Sequence, residues 1–306
     1  MMMFARLLGA LGAGFAIAML TGCQASSQSP GAGALPPSVV RAARERDLLY
    51  VSSLAGSVSF YTYPQGKFVA TLSNSDGEGG LCSDRQGNVY VPSPEFARVT
   101  IYRHGRTTPI DTLVDDSGPL ECALDPRSGD LATASEAGVL EVYPRGRGTP
   151  SSYSIVGVAT LFFCTYDDKS DVFADGEDDA GSFELVELEH GSSTLKVLTV
   201  DAIVPDGTAI AWNGKELVLQ TAQVDGTATF AFVKVSGANG KVVGTTGLTA
   251  APNSYGPTQF WLEDGTLIEP DGGNADVGFW NYRAGGSPTK TLQSLGSELI
   301  GVTVSR

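Results

Sequence analysis

One short segment returns along this chain at intervals of 40 to 50 residues. Its clearest copy is residues 80–91, with the sequence GLCSDRQGNVYV, and weaker copies lie near residues 121, 163, 210 and 260. A half copy ends the chain at residues 302–306. Repeats of this length are typical of β-propellers and solenoids, in which each repeat is one small unit packed on its neighbours. The repeat therefore constrains the fold strongly and the activity weakly.

Each repeat predicts four short strands separated by turns rich in Gly, Pro and Asp. The first repeat begins at its second strand, residues 47–51, and residues 299–306 at the chain end supply the missing first strand. Such a last strand would close the ring and remove exposed sheet edges. The sequence therefore predicts an all-β fold over residues 46–306, a six-bladed β-propeller of four-stranded blades closed by the C-terminal strand, which completes blade 1.

The first 45 residues predict an export signal and a tether. Arg6 precedes an apolar run at residues 7–19, which is too short to span a bilayer easily and typical of a signal peptide. The run is followed by Leu-Thr-Gly-Cys at residues 20–23, which resembles the bacterial lipobox. We expect a lipoprotein signal peptide at residues 1–22, a lipidated Cys23 and a flexible tether at residues 23–45. The alternative is an ordinary signal peptide. The expected location is the cell envelope, lipid-anchored, with the choice of membrane left open.

The net charge of the chain and the positions of its charged residues indicate which kinds of partner it can bind. The net charge of −14 argues against nucleic acid as a partner, since nucleic-acid binding needs a cationic surface. Two kinds of loop share one end of a propeller, here called the mouth face. One kind leads from the fourth strand of a blade to the first strand of the next blade, and the other joins the second and third strands within a blade. The opposite end, the hairpin face, carries most basic residues. The acids expected on the mouth face are Asp76, Glu78, Glu95, Asp115, Asp116, Glu121, Glu136, Asp175, Glu177, Asp178, Asp179, Asp206, Asp225, Asp271, Asp276 and Glu298.

This distribution predicts an acidic mouth that attracts a cationic ligand or an envelope protein, and a basic hairpin face turned towards an anionic membrane. The alternative is that the acids only keep an exposed face soluble. Arg98 is the one basic residue expected among them.

The spacing of three cysteines, Cys82, Cys122 and Cys164, predicts that they occupy equivalent places in successive repeats. Equivalent places in neighbouring blades are too far apart for a disulfide, which needs Cα atoms within about 7 Å. We therefore expect three small buried thiols. A zinc site is disfavoured because the paired CxxC spacing is absent.

Residues 80–91 and 98–102 together resemble an NHL repeat, which pairs a Gly-apolar-x-x-Asp start with Gly-Asn-apolar-Tyr-Val and a later Arg-led strand. The resemblance covers residues 47–306 and implies the propeller fold. The Asp usual two residues after the Tyr-Val pair is Ser93 in the second repeat and Ser135 in the third, and only Asp175 keeps it. The chain is also similar to lipid-anchored propellers of bacterial envelopes with no assigned activity.

Two carboxylates are candidates for a metal site. Glu78, just before a first strand, resembles the first Glu of gluconolactonase-type propellers, and Glu121 is expected to face the axis. Two carboxylates could hold a divalent cation, the one cofactor considered possible. No catalytic base accompanies them in the sequence. His104 and His190 fall in loops on the hairpin face, away from the expected channel, which disfavours zinc held by histidines.

Aromatic and amide side chains complete the expected mouth. Phe163, Tyr255 and Gln259 are predicted to line it beside Glu78 and Glu121. The sequence favours a non-catalytic module that binds a ligand or a protein there. The alternative is a metal-dependent hydrolase of the lactonase type.

Overall fold

The computed structural model describes residues 46–306 apart from 78, 203, 205–208, 225 and 252–257. The predicted signal peptide, Cys23 and the tether lie outside the described residues, as do Glu78 and Tyr255. Among the residues that are described, no helix is long and apolar enough to cross a membrane.

The described chain is built of short antiparallel strands, with one 3₁₀ turn at Pro144–Gly146. Four sheets have four strands each, in the orders β24-β1-β2-β3, β4-β5-β6-β7, β8-β9-β10-β11 and β20-β21-β22-β23. The strands of these sheets are β1 (Leu48–Ser53), β2 (Val58–Thr62), β3 (Phe68–Thr71), β4 (Cys82–Ser83), β5 (Val89–Ser93), β6 (Arg98–Tyr102), β7 (Pro109–Val114), β8 (Pro119–Leu124), β9 (Leu131–Ser135), β10 (Leu140–Tyr143), β11 (Ser151–Tyr153), β20 (Trp261–Glu263), β21 (Thr266–Asp271), β22 (Asp276–Asn281), β23 (Lys290–Leu292) and β24 (Leu299–Ser305).

A fifth sheet has eight strands in the order β12-β13-β14-β15-β19-β18-β17-β16. It consists of two four-stranded antiparallel units joined by a short parallel pairing between Thr199–Val200 and Asn239–Gly240. The sequence predicts two separate blades here. The units join because the start of β19, the longest strand, lies beside the end of β15. The strands are β12 (Thr160–Tyr166), β13 (Val172–Glu177), β14 (Phe183–Leu188), β15 (Lys196–Val200), β16 (Ile210–Trp212), β17 (Leu217–Val224), β18 (Thr227–Ser236) and β19 (Asn239–Thr249).

The innermost strands follow one another around an axis. Contacts run from β4 to β8, then to β12, β16, β20 and β24, and from β24 back to β4. The chain end therefore completes the sequence of contacts. β24 also pairs with β1, from Leu48 opposite Ser305 to Ser53 opposite Leu299, and is almost wholly buried. This is the predicted pairing between the chain end and the first strand.

The recurring Asp of the repeat shapes the turn between the first two strands of a sheet. Asp84 Oδ1 accepts the backbone N–H groups of Gln86 and Asn88 at 2.9 and 2.8 Å. Asp125 accepts from Arg127, and Asp167 accepts from Lys169. A side chain that binds backbone two residues ahead stabilises a tight turn. These aspartates are therefore structural.

The hydrophobic core lies between neighbouring sheets. In one cluster Tyr50 stacks on Phe60, with ring centroids 4.8 Å apart. Tyr102, fully buried, reaches the loop before β4 and donates to Ser73 O and Asn74 O at 2.8 and 2.9 Å. Such contacts fix the loops at the mouth face to the sheets beneath them.

Candidate functional site

A disulfide joins Cys82 and Cys122, with Cα atoms 5.6 Å apart. The expectation of three free thiols in equivalent places is therefore wrong. The turn aspartates set the register: Cys82 lies two residues before Asp84, whereas Cys122 lies three residues before Asp125. Side chains alternate in direction along a strand, so this one-residue offset lets the two sulfur atoms face each other. The simple spacing of the cysteines concealed the offset.

Cys164 is the one free cysteine among the described residues, and it is buried. It lies three residues before Asp167, so it corresponds to Cys122. Its backbone N–H donates to Glu121 Oε2 at 2.7 Å. Burial, with Glu121 and Asp175 nearby, raises the pKa of the Cys164 thiol well above its usual value.

Gln259 and Glu121 form a hydrogen-bonded bridge on the axis. Gln259 Nε2 donates to Glu121 Oε1 at 2.7 Å and to Leu81 O at 2.7 Å. Gln259 Oε1 accepts the N–H groups of Leu81 and Val302 at 2.8 and 2.9 Å. One amide thus uses both donors and both acceptor positions. It ties together the innermost strands of four sheets.

A glycine makes room for this bridge. A Cβ atom at Gly80 would lie 2.3 Å from Glu121 Cγ and 3.1 Å from Gln259 Cδ. Gly80 N also donates to Leu120 O at 2.8 Å, which holds the strand before β4 close to β8. The Gly of the repeat is therefore required by close packing at this position.

Three buried carboxyl groups lie in this part of the molecule. Burial is the main cause that raises the pKa of Glu121 to about 8. Burial, together with the nearby Glu121, raises the pKa of Asp175 well above its usual value. Asp175 Oδ1 accepts the N–H of Phe163 at 3.1 Å, while its Oδ2 has no partner. The third carboxyl is Glu269, whose pKa burial raises to about 8.

Asp175, Gln220 and Glu269 are each the fourth residue of the second strand of their unit. Gln220 Nε2 donates to Glu269 Oε1 at 3.1 Å, whereas Glu269 Oε2 has no partner. The sequence predicted Asp175 as a repeat position and as an acid of the mouth face, and it did not predict the Gln220–Glu269 pair. A polar residue among apolar neighbours at the same strand position is the signal that could have found the pair.

The mouth cavity, of about 500 Å³, lies on the mouth face. Its lining is mostly apolar and includes Leu54, Phe162, Phe163 and Ile300, with one carboxylate, Glu136. Phe163 was predicted to line the mouth and does line this cavity. Glu121 and Gln259 do not; they line a second cavity that continues along the axis towards the hairpin face.

The loops at the mouth face meet as expected. The backbone N–H of Asp115, in the loop between β7 and β8, donates to Ala97 O, in the loop between β5 and β6, at 2.9 Å. Several of the predicted surface acids nevertheless serve other purposes: Asp115, Glu121, Asp175 and Asp271 are buried. Glu78, Asp206 and Asp225 lie outside the described residues. Arg98 forms an ion pair with Asp76. The acidic rim is thus smaller than the sequence indicates.

The hairpin face is less one-sided than the sequence predicts. Its turns carry carboxylates among the basic residues, and Arg283 forms an ion pair with Glu216 at 2.7 Å. Arg306 pairs with Glu263 and with Asp264. His104, also at this end, contacts Ser305 Oγ at 2.7 Å and Arg46 O at 3.1 Å, so both ring nitrogens have structural partners.

No group of three or more His, Cys, Asp and Glu side chains is placed to hold a metal ion within the part of the chain that the structure describes. Of the two predicted metal ligands, only Glu121 can be located. Both of its carboxyl oxygens already accept hydrogen bonds, from Gln259 Nε2 and Cys164 N. Glu78 lies outside the described residues, so the metal site stays a prediction.

No protein-family model matches the chain, and no curated protein matches it. Solved structures do. A chain of the nidogen/laminin complex is similar over 85% of this chain and 98% of its own length, with 12% identity and a TM-score of 0.67. A chain of hydrazine synthase from Kuenenia stuttgartiensis is similar over 74% of this chain and 71% of its own, with 13% identity and a TM-score of 0.53.

A chain of a mitotic checkpoint complex is similar over 83% of this chain and 76% of its own length, with 12% identity and a TM-score of 0.53. At such low identity these likenesses show the fold alone. With the sheets and their axial contacts, they define the chain as an all-β protein of the β-propeller class with four-stranded blades.

Proposed function

We propose that this protein is a non-catalytic binding module that recognises a cationic ligand or protein segment at its mouth face. The observation that carries the proposal is the mouth cavity, a mostly apolar recess with one carboxylate, Glu136, in its lining. Three large apolar side chains on this face are half exposed or more, namely Leu54, Phe96 and Val156. Of these, Leu54 lines the cavity, and a mostly apolar concave recess with a few polar groups is typical of a binding site.

Charge indicates the sign of the partner. Glu136 lines the cavity, and Glu95, Asp116 and Glu298 are exposed on loops of the same face. Arg98 is held by Asp76 and lies 5.0 Å from the Phe96 ring, so it offers little free positive charge. A partner with an apolar side chain flanked by Lys or Arg would match both features and would be steered by the field.

The alternative, a metal-dependent hydrolase, requires a carboxylate that is free to bind the ion. Glu121 is buried and hydrogen-bonded on both oxygens, which favours a structural role. A lactonase-type site would have to be built around Glu78 instead. Calorimetric titration with Ca²⁺ and Mn²⁺ tests this alternative, and tight one-to-one binding lost in Glu78→Gln would support it.

We further propose that the two halves of the eight-stranded sheet are separate blades, giving six blades in all, as the run of innermost strands around the axis supports. The NHL-like repeat, the signal peptide and the lipid on Cys23 rest on the sequence. From the signal peptide and the lipid we propose a location in the cell envelope, and from the charge distribution a mouth directed away from the membrane.

The test measures binding of the peptide acetyl-Lys-Lys-Phe-Lys-Lys-amide to the full-length chain by calorimetry, at low and at high salt. We expect saturable binding that salt weakens, and none for the analogue with Glu in place of Lys. Leu54→Asp should weaken binding at least about tenfold, because it places a charge in the apolar recess.

Phe68→Asp is the matched control. Phe68 is exposed to the same degree as Leu54, 55% against 54%, but lies on β3 at the outer edge of its sheet. Equal binding by the Lys and Glu peptides, or equal loss in both variants, would overturn the proposal.

A further inference from the structure

A groove of about 380 Å³, here called the arginine groove, lies between the sheet that contains β1–β3 and the turn that joins β6 to β7. Its floor is apolar and is formed by Phe60, Val69 and Ala70 of the first sheet, which are all buried. Ile110, near the start of β7, belongs to the opposite wall and is 46% exposed. The groove therefore offers an apolar surface that a ligand can cover.

Two arginines stand at this groove without a counter-charge. Arg103 and Arg106 are exposed, line the groove and belong to one tight turn, in which Arg106 N donates to Arg103 O at 3.0 Å. No ion pair joins either guanidinium to the part of the chain that the structure describes. By contrast, Arg98, Arg283 and Arg306 each pair with a carboxylate. The positive charge at the groove is therefore available to a ligand.

The turn that carries the two arginines is held in place by neighbouring strands. Gly105 N donates to the hydroxyl of Tyr50, in β1, at 2.9 Å. The Nδ1 atom of His104 contacts Ser305 Oγ, in β24, at 2.7 Å. Because the backbone of the turn is already fixed, a ligand does not have to order it on binding.

The charge of the lining indicates an anionic ligand. No Asp or Glu is among the described residues that line the arginine groove, whereas the groove between β7 and β11 is lined by Asp111, Asp116 and Glu141. Guanidinium N–H groups match the oxygens of phosphate in pairs. Thr107 and Thr108, also in the lining, add hydroxyl groups that can donate to an anion. The arginine groove therefore matches a ligand with a phosphate at one end and an apolar part at the other.

The entry point of the chain indicates where such a ligand comes from. His104 Nε2 contacts Arg46 O at 3.1 Å, and Arg46 is the first residue that the structure describes. The tether predicted at residues 23–45 therefore joins the molecule beside the arginine groove. A lipid on Cys23 would keep this corner near the membrane, where basic side chains attract anionic phospholipids.

We propose that the arginine groove binds one anionic phospholipid of the membrane. The phosphate lies between Arg103 and Arg106, and the apolar part of the lipid covers Val69, Ala70 and Ile110. The choice of a membrane lipid over free phosphate rests on the apolar floor and on the proposed location in the cell envelope. The groove shares no lining residue with the mouth cavity, so binding at either place can fail while the other stands.

The test is calorimetry on the full-length chain with dihexanoylphosphatidylglycerol, dihexanoylphosphatidylcholine and inorganic phosphate, each lipid below its critical micelle concentration. We expect the phosphatidylglycerol to bind one-to-one, with an affinity that salt lowers. The phosphatidylcholine has no net charge and should bind at least about tenfold more weakly. Inorganic phosphate has no acyl chain to cover the floor and should also bind at least about tenfold more weakly.

Three results of this series would overturn the proposal. They are absence of phosphatidylglycerol binding at millimolar concentration, equal binding by the phosphatidylcholine, and equal binding by inorganic phosphate. The probes are soluble and do not depend on a lipid at Cys23. A failure here is therefore distinguishable from a failure of the proposed envelope location, which labelling of Cys23 with a radioactive fatty acid in cells would test.

Variants locate the site. The double variant Arg103→Glu, Arg106→Glu reverses both charges and should weaken phosphatidylglycerol binding at least about tenfold. The matched control, Arg85→Glu, Arg147→Glu, makes the same change at two exposed arginines outside the lining and should alter the affinity less than about threefold. Ile110→Ser removes an apolar contact and should weaken binding about fivefold.

Thermal unfolding establishes that each variant folds. Equal loss of phosphatidylglycerol binding in the two double variants would overturn the proposal, as would wild-type affinity after reversal of the two groove charges. If a variant does not fold, the three probes on the wild-type chain alone decide.

Discussion

Gln259 donates a 2.7 Å hydrogen bond from its side-chain amide to Glu121, although 138 residues separate them in the chain. Gln259 precedes β20 and Glu121 lies in β8, and these strands are three steps apart in the run of innermost strands. The bond therefore crosses the axis. With its bonds to Leu81 and Val302, this one side chain connects opposite sides of the molecule.

Gln259→Ala should destabilise the protein by about 3 kcal/mol or more, because it leaves several buried donors and acceptors without partners. Urea unfolding followed by circular dichroism measures the effect. Gln65→Ala, at an exposed position, is the control and should change the free energy of unfolding by less than about 0.5 kcal/mol. Similar values for the two variants would show that the axial bridge is dispensable.

Stability should fall as pH rises from about 4.5 to about 8. The pKa of Glu269 is raised from 4.5 to about 8 by burial, with Asp271 adding to the rise. In that window the folded state keeps a proton that the unfolded state has lost, so the free energy of unfolding decreases with pH. Glu121 contributes with the same sign.

Glu269→Gln isolates one part of this effect. The amide oxygen can still accept from Gln220 Nε2, and no proton is lost at high pH. We expect the variant to be more stable than the wild type at pH 9 and to show a flatter pH dependence in urea unfolding. Glu136→Gln, at an exposed mouth position, should leave the pH profile unchanged. A wild-type stability that rises from pH 5 to pH 8 would contradict the assignment.

Reduction of the Cys82–Cys122 disulfide should lower the free energy of unfolding by about 2–4 kcal/mol, since it frees a 40-residue loop in the unfolded chain. Guanidinium unfolding with and without a reductant measures this. The double variant Cys82→Ser, Cys122→Ser should have lower stability and no further response to the reductant. A wild type that is insensitive to reduction would show that the disulfide does not form.

Deletion of residues 301–306 should unfold or aggregate the protein. It removes most of β24, including the buried side chains of Val302 and Val304, and exposes the edge of β1. Arg306→Ala is the control, because Arg306 lies at the exposed end of the strand. A truncated chain that keeps its melting temperature would rule out a stabilising role for the β24–β1 pairing.

Much of the fold follows from local sequence patterns. The strands between recurring turns, and the pairing of the chain end with β1, could be predicted because alternation and turn residues are local signals. The parallel pairing of β15 with β19 could not be predicted, because it depends on how far the long β18–β19 hairpin extends beside β15. A register offset of one residue likewise decided between free thiols and a disulfide.

The site was less predictable. Glu121 was expected to face the axis, and Gln259 and Phe163 were expected to line the mouth. The hydrogen bond between Glu121 and Gln259 was not predicted, because it joins side chains from distant repeats. Counting charges also overestimated the acidity of the mouth face, because a carboxylate in a loop can be buried. Asp115, for example, accepts a hydrogen bond from Thr133 Oγ1 at 2.7 Å.

The pairing of Leu48 with Ser305 brings the two ends of the described chain side by side in one sheet. A chain that is joined at this point and opened at another turn would contain the same strand pairings in a different order. Exposed turns such as the one around Gly191 would then serve equally well as termini. The order of the repeats along the gene is therefore one of several that this architecture can accept.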